Sequence, residues 1–108
     1  MAFDFTTAFQ NALQAGVAAA KPGGKAVEDW IKESAKANEH TLLAIAEGVK
    51  SKDISKETAE ILLGEAARAL DSEAAALAVT LKAAAQAAVN AFLGSLFTAL
   101  KSALKLAL

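Results

Sequence analysis

The chain has 108 residues, of which 55% are hydrophobic, with no cysteine and a formal net charge of −1. This composition excludes disulfides, thiol catalysis and cysteine-based zinc sites, and it gives a nucleic-acid partner no bulk electrostatic support. The length corresponds to one domain, residues 1–108, with a modest core. Much of the hydrophobic content is alanine, a strong helix former that buries little area per residue. We therefore expect a single all-α domain.

The first predicted helix covers residues 3–20. Phe5 and Phe9 begin an apolar stripe at helical spacing, and Asp4 is placed to act as its N-cap or as a first-turn acid. The KPGG sequence at 21–24 ends this helix, because proline removes an amide donor and glycine permits left-handed backbone angles. A helix boundary is expected at this turn.

The second predicted helix covers residues 25–50 and carries an apolar stripe made of Val27, Trp30, Ile31, Leu42, Ile45 and Val49. Asn38 interrupts the stripe. It marks either a polar contact between helices that sets their register or a helix crossing that is partly solvated. Asp53 or Ser55 can cap the next helix. Because this connection is short, the second and third helices are predicted to be antiparallel neighbours.

The third predicted helix covers residues 55–107. Its apolar stripe passes through 71–73 without a change of phase, which favours one continuous helix, and the alternatives are a split near 71–73 or at Gly94. A continuous helix would be roughly 80 Å long, whereas the second helix could cover only about 39 Å of it. The remainder must fold back, pack against another chain or lie on a membrane. The predicted architecture is an antiparallel helical hairpin or bundle with a long alanine-rich C-terminal helix.

The charges are unevenly placed along the chain. All twelve acidic residues lie in residues 1–73, and the charged side chains beyond them are Lys82, Lys101 and Lys105. The uncharged stretch 83–100 is close to the length that spans a bilayer, but it contains amide and hydroxyl side chains and much alanine. An amphipathic helix on a membrane surface is the better membrane interpretation. The other interpretation is a core-facing bundle helix or a seam between copies of the chain.

Side chains for catalysis or metal binding do not form a recognisable pattern. His40 has no carboxylate or second histidine three or four residues away, which a helical metal site requires. The Gly-Gly-Lys sequence before the second helix lacks the other P-loop residues, because Ala19 and Ala26 occupy their positions. The glutamates form no Glu-x-x-His pair. We expect no catalytic residue, no metal ligand and no cofactor, and therefore a protein that is not an enzyme and has no small-molecule substrate.

The sequence GVKSKDISKETAEILLGEAARAL at 48–70, followed by QAAVNAFLGSL at 86–96, resembles small uncharacterised bacterial and prophage-type helical proteins. These share a G-x-I-S-x-E-x-A-x-x-LL turn and a C-terminal helix rich in alanine and asparagine. The resemblance covers the chain from Gly48 onward. It implies a helical fold and a phage or genomic-island origin, and it implies no activity, cofactor or site residue.

These features lead to two functional hypotheses. The first is a non-enzymatic structural or interaction module that forms a homo-oligomer through its C-terminal helix. The second is a peripheral protein that places this helix on an anionic membrane surface. A cytoplasmic location, with or without membrane association, is expected because the N-terminal sequence lacks the basic region and apolar run of a secretory signal. In both hypotheses the predicted interface consists of Leu63, Leu70, Leu77, Leu81, Phe92, Leu96, Phe97, Leu100 and Leu104.

Overall fold

The computed structural model describes residues 4–108, and the predicted start of the first helix at residue 3 lies outside this range. No strand occurs within it, so the predicted all-α class is confirmed. A short 3-10 turn at Lys21–Gly23 joins the first two α-helices. The four α-helices are α1 (Phe5–Ala20), α2 (Lys25–Lys50), α3 (Lys56–Ala75) and α4 (Val79–Leu104).

The helices form an up-down-up-down bundle. Successive helices are joined by short connections and pack side by side, and α1 also packs along α4, which closes the ring. The direction of this last pair follows from its contacts, since Gly23 lies beside Ala84 near the start of α4 and Phe9 packs on Phe92 further along it. Of the two diagonal pairs, α2 and α4 approach each other, whereas within the described residues no Cα atom of α1 lies within 8 Å of a Cα atom of α3.

The start and end of α1 follow from local chemistry. Asp4 is its N-cap, and its Oδ1 accepts hydrogen bonds from the backbone N–H groups of Thr6 (3.0 Å) and Thr7 (3.4 Å). The Thr7 hydroxyl donates to Asp4 Oδ2 at 2.7 Å. At the other end the chain enters the proline-containing turn, and Gly24 takes a φ of 78°, which suits glycine. The predicted boundary at 21–24 is confirmed.

The connection between α2 and α3 shows which residue caps α3. Ser55 Oγ accepts the backbone N–H of Thr58 at 3.1 Å, so Ser55 is the N-cap. Asp53 instead accepts a hydrogen bond from the Ser51 hydroxyl at 2.9 Å. Because this connection is short, α2 and α3 are antiparallel neighbours, as predicted.

The predicted continuous helix over residues 55–107 is wrong. The chain reverses direction at residues 76–78, beyond the anticipated split near 71–73, and Gly94 lies inside α4 without breaking it. The reversal contains no glycine or proline, so local propensity alone favours helix there. Losing a few solvent-exposed hydrogen bonds costs about 0.5–1.5 kcal/mol each. Folding α4 back buries several large side chains, which stabilises the fold by about 1.5–3 kcal/mol each and outweighs that loss.

One core lies between the four helices. Its largest fully buried side chains are Val27, Ile31, Leu42, Leu63, Leu70, Val89, Phe92, Leu96 and Leu100. Asn38 is half-buried, and its Nδ2 donates to the backbone carbonyl of Ser34 one turn earlier in α2 at 2.8 Å. This bond within α2 favours the partly solvated crossing over a polar contact between helices.

Candidate interaction surface

The bundle has a charged half and an uncharged half. Nine residues of α2 and seven of α3 are Asp, Glu, Lys or Arg, whereas α1 has none and α4 has two, Lys82 and Lys101. Because α2 neighbours α3 and α1 neighbours α4, this difference divides the molecule lengthwise. A helix on the surface of a soluble protein ordinarily carries charged residues on its outer face. The outer faces of α1 and α4 are exceptions.

The seam between α1 and α4 is lined on the outside by small, uncharged side chains that are exposed or half-buried. Helical spacing places them on the side of this helix pair that faces away from the charged half. We call this surface the uncharged face, and it consists of Ala8, Asn11, Ala15 and Ala19 of α1 with Ala83, Ala87, Ala91, Gly94, Ser95 and Thr98 of α4.

The uncharged face is low in relief along its alanines, and at Gly94 and Thr98 it borders a groove of about 300 Å³ that Lys101 and Leu108 also line. A Cβ atom added at Gly94 would meet no atom within 4 Å, so no neighbouring side chain projects over this part of α4. Most other members of the face are alanines, whose methyl groups project little beyond the helix backbone. Interaxial distances between packed helices depend on the side chains at the contact, and small residues permit the shortest distances. The face can therefore accept another helix at close range.

Below this surface α1 and α4 are closely packed. A Cβ atom added at Gly16 would lie 3.2 Å from the backbone oxygen of Ala88 and 3.2 Å from Phe92 Cβ, which is tighter than ordinary contact. The rings of Phe9 and Phe92 meet edge to face with centroids 5.6 Å apart. Gly16 and the buried alanines around it allow this close approach. Because α1 and α4 pack so closely, their exposed small side chains form one continuous surface.

A polar contact marks the border between α4 and the charged half. Gln86 Nε2 donates to Asp71 Oδ1 of α3 at 2.8 Å and to Asn90 Oδ1 at 3.1 Å. At the ends of the uncharged stretch, Lys82 and Lys101 are both exposed. The uncharged face is thus bounded by a hydrogen-bonded amide row along one side and by lysines at its two ends.

The nine side chains predicted for an interface divide into two groups in the folded chain. Leu77, Leu81 and Phe97 are half-buried. The other six are buried within the chain itself, and they are Leu63, Leu70, Phe92, Leu96, Leu100 and Leu104. A buried side chain cannot contact a partner while the bundle stays closed. A partner of the folded protein would meet the exposed side of α4 instead.

The other positions considered for chemistry lie apart from one another. His40 is exposed on α2. Within residues 4–108 no group of three His, Asp or Glu side chains is arranged to hold a metal ion. The Gly-Gly-Lys sequence forms the turn before α2, where a Cβ atom added at Gly23 would lie 2.7 Å from Ala84 Cβ. This turn packs on α4.

Among the helices of residues 4–108, α4 is long and apolar enough to cross a membrane by length and composition alone. Core helices of soluble proteins meet the same criterion. Eight of the 26 residues of α4 are buried in the bundle.

The absence of charge in α1 is a feature of the sequence that points to the uncharged face and that the sequence-based predictions do not include. Residues 5–20 contain no charged side chain, which is visible in the sequence. The uncharged stretch of α4 is equally visible, but nothing in the sequence places it beside α1. That adjacency depends on the chain reversal at 76–78.

No protein-family model, no curated protein and no solved structure matches the chain. The resemblance of residues 48–70 and 86–96 to prophage-type helical proteins stays a prediction.

Proposed function

We propose that this protein is a non-enzymatic interaction module that self-associates through the uncharged face formed by α1 and α4. The observation that carries the proposal is the division of charge, with sixteen charged residues in α2 and α3 and two in α1 and α4. The centres of protein interfaces are depleted in charged residues. A second copy of the chain offers the same uncharged surface, so two copies are self-complementary around a two-fold axis.

The lysines set the expected salt dependence of this association. The uncharged face contains no acid, so a symmetric pair brings no opposite charges together across it. Lys82 and Lys101 at its ends repel the lysines of a second copy, and salt screens this repulsion. Added salt should therefore leave self-association unchanged or strengthen it. An interface made of ion pairs on α2 and α3 would weaken with salt. The salt dependence of self-association therefore shows which half of the bundle forms the interface.

The test is the native mass by sedimentation equilibrium over the micromolar range. The wild type should exceed the 11.0 kDa of one chain. Ala87→Arg places a cation on the uncharged face and should give the monomer. Ala37→Arg makes the same change at an exposed position of α2 and should keep the wild-type mass. Both positions are exposed, so neither arginine has to enter the core.

A monomeric wild type across this range would contradict self-association. Equal loss of mass in the α2 and α4 variants would contradict the location of the interface. Circular dichroism of both variants checks that the bundle is intact.

A second candidate function is association with an anionic membrane surface, and the composition of α4 favours it. Lys101 and Lys105 would lie near the headgroups, where each cation contributes about 1 kcal/mol on an anionic surface. In the closed bundle the apolar side of α4 is buried, so this function requires α4 to separate from the core. Co-sedimentation with anionic vesicles and no binding to neutral vesicles is the expected result. Failure to bind either kind of vesicle would exclude it.

A further inference from the structure

A groove runs along the other side of α1, between α1 and α2. It has a volume of about 400 Å³, within the range of small-molecule sites. Leu13 and Val17, one turn apart and half-buried, provide apolar side chains. Gln10 lies at one end of the groove on α1 and Lys21 at the other, a length of roughly 16 Å at the helical rise.

Two lysines line this groove. Lys21 is the first residue of the turn after α1, one helical turn beyond Val17, and Lys32 belongs to α2. The position of Lys32 along the groove follows from the preceding residue, Ile31. The Ile31 Cγ1 atom would lie 3.3 Å from a Cβ atom added at Gly16. Lys32 is therefore opposite the Gly16–Val17 region of α1. Lys21 is at the end of the groove nearer the α1–α2 turn, and Lys32 lies about one helical turn from it, towards the middle of the groove.

The charge of this site is one-sided. None of the residues that line the groove is acidic. Both lysines are exposed, and within residues 4–108 neither has a carboxylate within 4 Å, whereas Lys25 nearby pairs with Asp29 at 3.6 Å. A second groove of similar size, near the start of α1, contains both acidic and basic residues, Asp4, Glu47 and Lys50. The α1–α2 groove is thus suited to a ligand with a negative group.

We propose that the α1–α2 groove binds a free medium-chain fatty acid. The carboxylate lies between Lys21 and Lys32, and the acyl chain extends along Val17 and Leu13 towards Gln10. Apolar contact provides the affinity for the chain, and the two lysines select a carboxylate over a neutral or cationic head. The groove lies on the α2 side of α1 and the uncharged face on its α4 side, and the two share no residue.

The experiment is a calorimetric titration of the full chain with decanoate, decanol and decylammonium, each below its micelle-forming concentration. Decanoate should bind about tenfold more tightly than decanol, the combined effect of two exposed ion pairs. Decylammonium should bind more weakly than decanol. Amide chemical shifts should change along α1 from Gln10 to Lys21 and around Lys32.

The variant pair Lys21→Gln with Lys32→Gln should remove the preference for decanoate over decanol. The matched control, Lys36→Gln with Lys50→Gln, removes two exposed lysines of α2 outside this groove and should keep the preference. The proposal is overturned if the three ligands bind equally, if the control variant loses the preference as well, or if decanoate shifts the core resonances around Phe92. All four lysines are exposed, so these substitutions leave the core intact.

Discussion

The two halves of this bundle share one core but differ in their surfaces and in the way their helices meet. The α2–α3 half carries charged side chains along its outer faces, as a soluble helical protein requires. The α1–α4 half carries alanine, glycine, threonine and amides in the same places. Its helices approach each other closely at Gly16. Both halves contribute large side chains to the core, Phe92 and Leu96 from one and Leu42 and Leu63 from the other. The uncharged half thus combines close packing between its own two helices with an outer face of small side chains.

The largest expected effect comes from the core side of the uncharged half. Phe92→Ala should lower the free energy of unfolding by about 3–5 kcal/mol, because Phe92 is fully buried and packs on Phe9. Ile61 of α3 is 61% exposed, and Ile61→Ala should change it by no more than about 0.5 kcal/mol. Urea denaturation measures both values. A small loss for Phe92→Ala would mean that α4 is not held in the core, and Phe92→Leu provides a milder variant if the alanine variant does not fold.

An intermediate effect on the free energy of unfolding is expected from glycine-to-alanine substitutions, which should have opposite signs between α1 and α4 and on the outer side of α4. Gly94→Ala should raise the free energy of unfolding by about 0.5–1 kcal/mol, because alanine favours helix and the added methyl meets no atom of the same chain. Gly16→Ala should lower it by about 1–2 kcal/mol despite the same helix preference, because the methyl meets the backbone of α4. Thermal and urea unfolding provide the comparison. Stabilisation by both substitutions would show that α1 and α4 are not closely packed.

The smallest effect concerns the helix caps of the two halves, because the stabilisation by one cap should depend on pH and that by the other should not. The Thr7 hydroxyl, together with the backbone N–H groups of Thr7 and Thr6, holds the pKa of the Asp4 carboxyl below its ordinary value, against a small opposing effect of desolvation. A lowered folded-state pKa means that the stabilisation is present above the unfolded-state pKa of about 3.9 and is lost as the pH falls through the folded-state value. Asp4→Asn should remove this part of the pH dependence.

Ser55 caps α3 in the charged half and provides the comparison for Asp4. Its hydroxyl does not titrate in this range, so Ser55→Ala should cost about 1 kcal/mol at every pH. Melting temperatures measured between neutral and acidic pH test both caps. The same pH profile for Asp4→Asn and the wild type would show that the Asp4 cap contributes little.

Much of the fold could be predicted from local features. The KPGG turn, the Asp4 cap and the Ser51–Ser55 connection are short-range patterns, and the structure confirms the two boundaries that they predict. The end of α3 could not be predicted in this way, because residues 76–78 have no glycine, proline or side-chain cap. The candidate interaction surface could not be predicted either, because most of the stripe from Leu63 to Leu104, on which the predicted interface was based, is buried in the core.

Local patterns in the sequence are sufficient to predict a helical protein, the boundary between α1 and α2, and two stretches of the chain without charge. Each of these features depends on residues close together in the chain, through hydrogen bonding, backbone restriction and composition. The position of α4 depends instead on tertiary packing: the helix folds back against α1, so that the two uncharged stretches share one surface. The reason is the burial of Phe92, Leu96 and Leu100, which requires the other three helices and outweighs the local preference for a continuous helix.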